Sequence, residues 1–113
     1  MLLLLLAQAA AGTSPSTTVI HNPDVRMLFS ANDYPPEALK NHWQGKVQLD
    51  LTIGTDGRVT GCTTVQSSGY QVLDDTTCKV LEKRALFNPA LNSAGEPVVD
   101  HVLTPPIVWR LSP

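Results

Sequence analysis

Two cysteines, three histidines and one adjacent pair of aspartates are the residues whose types could do chemistry. Cys62 and Cys78 could form a disulfide, hold a metal or exchange thiols. Neither belongs to a Cys-x-x-Cys pair and no histidine stands at ligand spacing from them, so the disulfide reading leads and no metal site is expected. His21, His42 and His101 are scattered. Ser67, Ser68, Asp74 and His101 supply the residue types of a nucleophilic triad, yet no nucleophile-elbow motif frames either serine. Asp74-Asp75 would suit paired-carboxylate acid-base work, but neighbours at a helix start are better explained by complementing the helix dipole. No catalytic residue, cofactor or small-molecule substrate is expected, and the chain is read as a non-enzyme.

Length and charge narrow the class further. The 113 residues leave room for one domain, with a net charge of -2 and 16% charged residues. A pI of 5.8 gives no basic field to gather nucleic acid. The amino terminus runs Met1, Leu2 to Leu6, then Ala7-Gln8-Ala9-Ala10-Ala11-Gly12. An apolar run ending in small residues resembles a secretory signal cleaved after Ala9 or Ala11, although no basic residue precedes it. Residues 1-12 are therefore read as a signal-like segment, and residues 13-33, rich in Thr, Ser, Asn and Pro, as a flexible tether whose last few residues could dock. That leaves 34-113 as the folded unit, near 80 residues. A domain of that size buries only ~60% of its unfolded surface, so a cross-link would help it.

The elements that must position these residues follow from spacing. Tyr34-Pro35-Pro36-Glu37 reads as a helix start, because proline loses nothing at first-turn positions. The helix runs from about Pro36 to Trp43, places Ala38, Leu39 and Trp43 on one face, and ends at Gly45. Lys46 to Ile53 alternates strictly and predicts a half-buried strand. The Asp56-Gly57 turn leads into a second strand from Arg58 to Gln66. Gly61 suggests a bulge there, which leaves the face taken by Cys62 open. Helical spacing returns from Tyr70 or Val72 to Leu86, with Leu73, Thr77, Val80, Leu81 and Arg84 on one stripe. After the polar loop from Leu91 to Glu96, Pro97 to Thr104 and Ile107 to Leu111 read as one long last strand broken at Pro105-Pro106. Proline in that place predicts a sheet edge or a bulge. Trp43 and Trp109 are read as core or core edge.

Tyr34-Pro35-x-x-Ala38, Gly45-x-Val47, Gly54-Thr55-Asp56-Gly57-Arg58-Val59, Ser67-Ser68-Gly69, Leu73-Asp74, Phe87-x-Pro89-Ala90, Gly95-x-Pro97-Val98 and Pro106-Ile107-x-Trp109-x-Leu111 occur in this order. Together, over residues 34 to 111, they resemble the C-terminal domain of TonB-family proteins. The resemblance implies an α+β fold of two layers, a three-stranded antiparallel sheet with two helices on one face in the order α-β-β-α-β. It also implies a periplasmic module that binds an extended segment, the TonB box, of an outer-membrane transport receptor. Relatives of this kind carry similar cysteines at the places of Cys62 and Cys78, and a disulfide there would contribute ~3 kcal/mol in the chain-entropy model.

An exposed edge strand offers unpaired N-H and C=O groups to an incoming peptide. Val98, Val99, Asp100, His101, Val102 and Leu103 form the expected partner-binding edge, with Tyr34 and Pro35 as additional contacts if the tether docks. The competing expectation is a self-associating envelope scaffold whose last strand pairs with its own copy across a two-fold axis. The family's energy transducers resemble anchored proteins with a long Pro-rich spacer. Neither feature is evident in this sequence, so receptor binding is expected and energy coupling would need an anchor encoded upstream of Met1.

Overall fold

The computed structural model describes residues 24–111; the signal-like segment and residues 13–23 of the expected tether lie outside them. The chain order is α1 (Pro36–Asn41), β1 (Gly45–Ile53), β2 (Val59–Gln66), α2 (Gln71–Arg84), β3 (Ala90–Leu91), β4 (Pro97–Val98), β5 (Asp100–Leu103) and β6 (Ile107–Trp109), preceded by two 3-10 turns at Val25–Leu28 and Ala31–Asp33. β1 is the central strand. It pairs antiparallel with β2 on one side and with β5 and then β6 on the other. The expected three-stranded α+β sheet is therefore present, its third position shared by two short strands.

Strict alternation in β1 does what its period of two dictates. Val47, Leu49, Leu51 and Ile53 are buried, and the residues between them are half-buried or exposed. The same inner face receives Ile107 and Trp109 from β6 and Leu73 and Leu81 from α2. The hairpin between β1 and β2 closes at Gly57, whose φ of 86° is open to glycine and costly for other residues. Its carbonyl accepts the Phe87 N–H at 2.8 Å, which ties the turn to the segment leaving α2. The bulge expected near Gly61 falls on Thr60, for Thr52 pairs with Gly61 and Ile53 with Val59. Cys62 then stands opposite Leu51 on the inner face, within reach of α2.

Two expectations about α1 change. The helix stops at Asn41, not at Trp43, because His42 takes the left-handed conformation at φ 57° and the Trp43 N–H closes back on the Ala38 carbonyl at 2.9 Å. Trp43 thus leaves the helix and stacks on Tyr70 with ring centres 4.7 Å apart. With fewer than two turns, α1 buries Ala38 alone, and Leu39, expected on the same face, is exposed.

The expected last strand is also more divided than the sequence suggests. Pro97 and Val98 do not continue into the main sheet. They pair back on Leu91 and Ala90 in a two-stranded hairpin, whose turn is held by the Asn92 side chain accepting from the Ala94 and Glu96 N–H groups.

Candidate partner-binding edge

Among the described residues β5 and β6 have a strand partner, β1, on one side only. The Thr104 N–H donates to the Leu49 carbonyl at 2.9 Å, which fixes the phase of the ladder. Backbone groups in an antiparallel strand point alternately to either side. Asp100, Val102 and Thr104 therefore turn theirs toward β1, and those of His101 and Leu103 point away from the sheet. The His101 and Leu103 side chains stand opposite Thr52 and Asp50 on the face away from the helices, both exposed. His101 Nδ1 lies 3.7 Å from Asp50.

Pro105-Pro106 interrupts this edge for a reason that involves Thr104. Its carbonyl turns aside to accept from Gln48 Nε2 at 2.8 Å, and its hydroxyl takes over the ladder position by accepting the Leu49 N–H at 3.1 Å. Thr104 is almost wholly buried, so the substitution leaves no orphan donor on Leu49. Beyond the prolines the pairing resumes with Ile107 opposite Val47. Two residues of the last strand, Pro105 and Pro106, thus face one residue of β1, Gln48.

Of the six residues expected to form one edge, Asp100, His101, Val102 and Leu103 constitute β5. Val98 belongs to the separate hairpin ladder with Ala90, and Val99, exposed, joins the two. The expectation of one continuous edge from Val98 is corrected accordingly. Tyr34 and Pro35 are buried, and Tyr34 lies beside β6, not beside β5. Its hydroxyl donates to the Trp43 carbonyl, and its ring meets Trp109 edge-on at 5.2 Å.

The end of the expected tether packs on the domain as a strap. Val25 is buried, and Phe29 stands edge-on to Trp109 at 5.7 Å. Arg84, at the end of α2, grips Asp33 through two bonds of 2.8 Å and donates to the Leu28 carbonyl at 2.8 Å. The Arg84 guanidinium is the chief reason that the Asp33 carboxyl is lowered to about 2, with the Ser30 N–H adding a further bond. Between the strap and β6 lies an open cavity of about 340 Å³, lined on its apolar side by Phe29, Tyr34, Ile107 and Trp109. Trp109 itself is pinned by its indole N–H, which donates to Thr77 Oγ1 at 2.8 Å inside the core.

Cys62 and Cys78 form a disulfide that joins β2 to α2. Glu82 lies beside them, but both sulfurs are spent on each other. Asp74 does more than complement a helix dipole. It accepts from Ser67 Oγ, from the Ser68 N–H at 2.9 Å and from Ser68 Oγ at 2.8 Å, fixing the turn before α2. Ser68 abuts Gly45 at one end of β1, whereas His101 pairs with Thr52 toward the other. Seven residues of strand separate those points, roughly 23 Å at ~3.3 Å per residue, so the triad types are not assembled. The sequence allowed the end of the tether to dock but named neither the residues that do so nor their partners. The signal available was the Met27-Leu28-Phe29 cluster, too short for a period to be read.

The chain is a two-layer α+β domain with one face of its sheet under helices and, among the described residues, one edge of β5 and β6 without a strand partner. The chain belongs to the family described as Gram-negative bacterial TonB protein C-terminal, whose model matches residues 30–111. Domains of this family in general interact with outer-membrane receptors. No curated protein matches the chain. Among solved structures it is similar to the NMR solution structure of the Helicobacter pylori TonB-CTD, at 18% identity and a TM-score of 0.52, covering 80% of this chain and 79% of that one. At that identity the likeness bears on the fold. Among the described residues no helix is long and apolar enough to cross a membrane.

Proposed function

We propose that this chain is a periplasmic receptor-binding module which captures an extended segment, the TonB box of an outer-membrane transport receptor, as an added strand on the outer side of β5. The observation that carries the reading is the outward direction of the His101 and Leu103 backbone groups on a strand paired on one side only. Added main-chain bonds give affinity with little regard to side chains, and alternate side chains of the segment then select the partner. Membership of the family supports the receptor as the source of that segment and the periplasm as the compartment.

Calorimetric titration with TonB-box peptides tests the reading, using the wild type and L103P. Proline at Leu103 deletes an outward N–H without touching the bonds to β1, a placement that edge strands tolerate. One lost main-chain bond of about 1 kcal/mol should weaken binding roughly fivefold. Unchanged affinity in L103P, or no binding of any such peptide at high micromolar concentration, would overturn it. Sedimentation at several concentrations separates the competing scaffold reading, since a dimer that dissociates only on unfolding would favour self-association through the same edge.

A further inference from the structure

The cavity between the strap and β6 lies past the Pro105-Pro106 break, where a segment added on β5 would arrive if it ran on along β6, and its chemistry is lopsided. Phe29, Tyr34, Ile107 and Trp109 make the walls on the helix side, two arginines stand on its rim, and no carboxylate lines it. Arg26 is already paired with Asp24 at 2.9 Å. Arg110 and, on the opposite face beside Val108, Lys46 are exposed and have no hydrogen-bond or ionic partner among the described residues. A strand laid along β6 points successive side chains to opposite faces. One would enter the aromatic cavity, and the next would meet the two free cations.

We infer that this cavity is a side-chain subsite for the added segment, taking a bulky apolar residue whose sequence neighbour is Asp or Glu paired with Arg110. The inference rests on the strand-addition reading and deepens it, because it states which segments the edge prefers. Charge complementarity selects the neighbour: an acidic residue satisfies unpaired cations, and a basic one would be repelled. The volume selects the anchor, since about 340 Å³ accepts one large aliphatic or aromatic side chain with room at the mouth. The strap is then part of the recognition surface, and the Arg84–Asp33 bonds hold one wall of it in place.

The test uses peptides of about ten residues with alternating Val and Thr, one Phe near one end and Asp beside it. Three companions replace Phe by Ala, Asp by Asn, or Asp by Lys, and each is titrated into the wild type and into R110E, whose altered residue is exposed and makes no internal bond. The expected result is about tenfold weaker binding on loss of Phe, corresponding to about 1.4 kcal/mol. Loss of Asp should weaken binding about threefold at low salt, as for an exposed ion pair. The Lys peptide should bind R110E better than it binds the wild type. A spin label at the Phe position should broaden Phe29, Tyr34 and Trp109 signals before those of β2. If the parent peptide binds but Phe and Asp can be replaced without effect, the subsite is overturned and strand addition stands. If no peptide binds the wild type at millimolar concentration, both fall.

Discussion

Replacing Thr77 by Val isolates the bond that fixes Trp109, the residue at which the core, β6 and the strap cavity meet. The substitution keeps the β-branched shape and the helix propensity of the position. It removes the oxygen that accepts the indole N–H at 2.8 Å. The Leu73 carbonyl also loses the Thr77 hydroxyl at 2.7 Å, but as a mid-helix acceptor it keeps its ladder bond. What remains is a buried N–H with no acceptor, since Thr77 is fully buried and Trp109 nearly so. Such an orphan costs about 1–3 kcal/mol, and 2 kcal/mol lowers the melting temperature of a domain this size by on the order of 10 °C. T77S is the control: it keeps the oxygen and gives up one methyl group, worth about 0.8 kcal/mol. Urea denaturation followed by tryptophan fluorescence should therefore rank wild type above T77S and T77S above T77V. A T77V protein as stable as T77S would refute the assignment of this bond as the anchor of Trp109.

Four further outcomes are expected. Replacing Cys62 and Cys78 together by Ser should lower stability by about 3 kcal/mol through the loop of 16 residues that the disulfide closes, measured by urea denaturation under non-reducing conditions. G57A should be far more disruptive than G69A: both glycines have positive φ, but a Cβ at 57 would lie 2.0 Å from the Phe87 carbonyl oxygen, whereas one at 69 meets nothing within 4 Å. G69A should cost about 1 kcal/mol, and G57A should shift the melting curve by several times as much. T104V, which leaves the Leu49 N–H without its acceptor, should cost about 1–3 kcal/mol and speed amide exchange at Leu49. The Asp33 carboxyl titrates at about 2 in the folded chain and near ~3.9 in an unfolded one. Its lowered value means that the Arg84 contact contributes fully above pH ~4 and is lost as pH falls toward 2. The stability difference between wild type and D33N should shrink over that range, and a difference that is constant with pH would contradict the assignment.

The parts of the fold that could be read from the sequence are those set by local rules. β1 declares itself through four aliphatic residues at a spacing of two, the hairpin through Asp56-Gly57, and α2 through a stripe that does bury Leu73, Thr77, Val80 and Leu81. The proline break in the last strand was equally legible. What could not be read depends on pairs far apart in the chain. Phe29 finds Trp109, and Asp33 finds Arg84 across 51 residues, so nothing near the strap in sequence reveals why it is ordered. The face of Cys62 hung on a bulge of one residue, at Thr60, that parity cannot count. Thr104 reads as an ordinary strand residue, and its use of a hydroxyl in place of a carbonyl becomes visible only beside Leu49.

An open strand edge invites copies of the same chain to stack on one another, the route by which sheets grow into fibres. Here the free groups on β5 belong to His101 and Leu103 alone, and the ladder then changes phase by one residue at Pro105-Pro106 before β6 begins. A rigid, regular ribbon can match one half of that edge and must then miss the other. A margin kinked in this way is a poor template for endless growth.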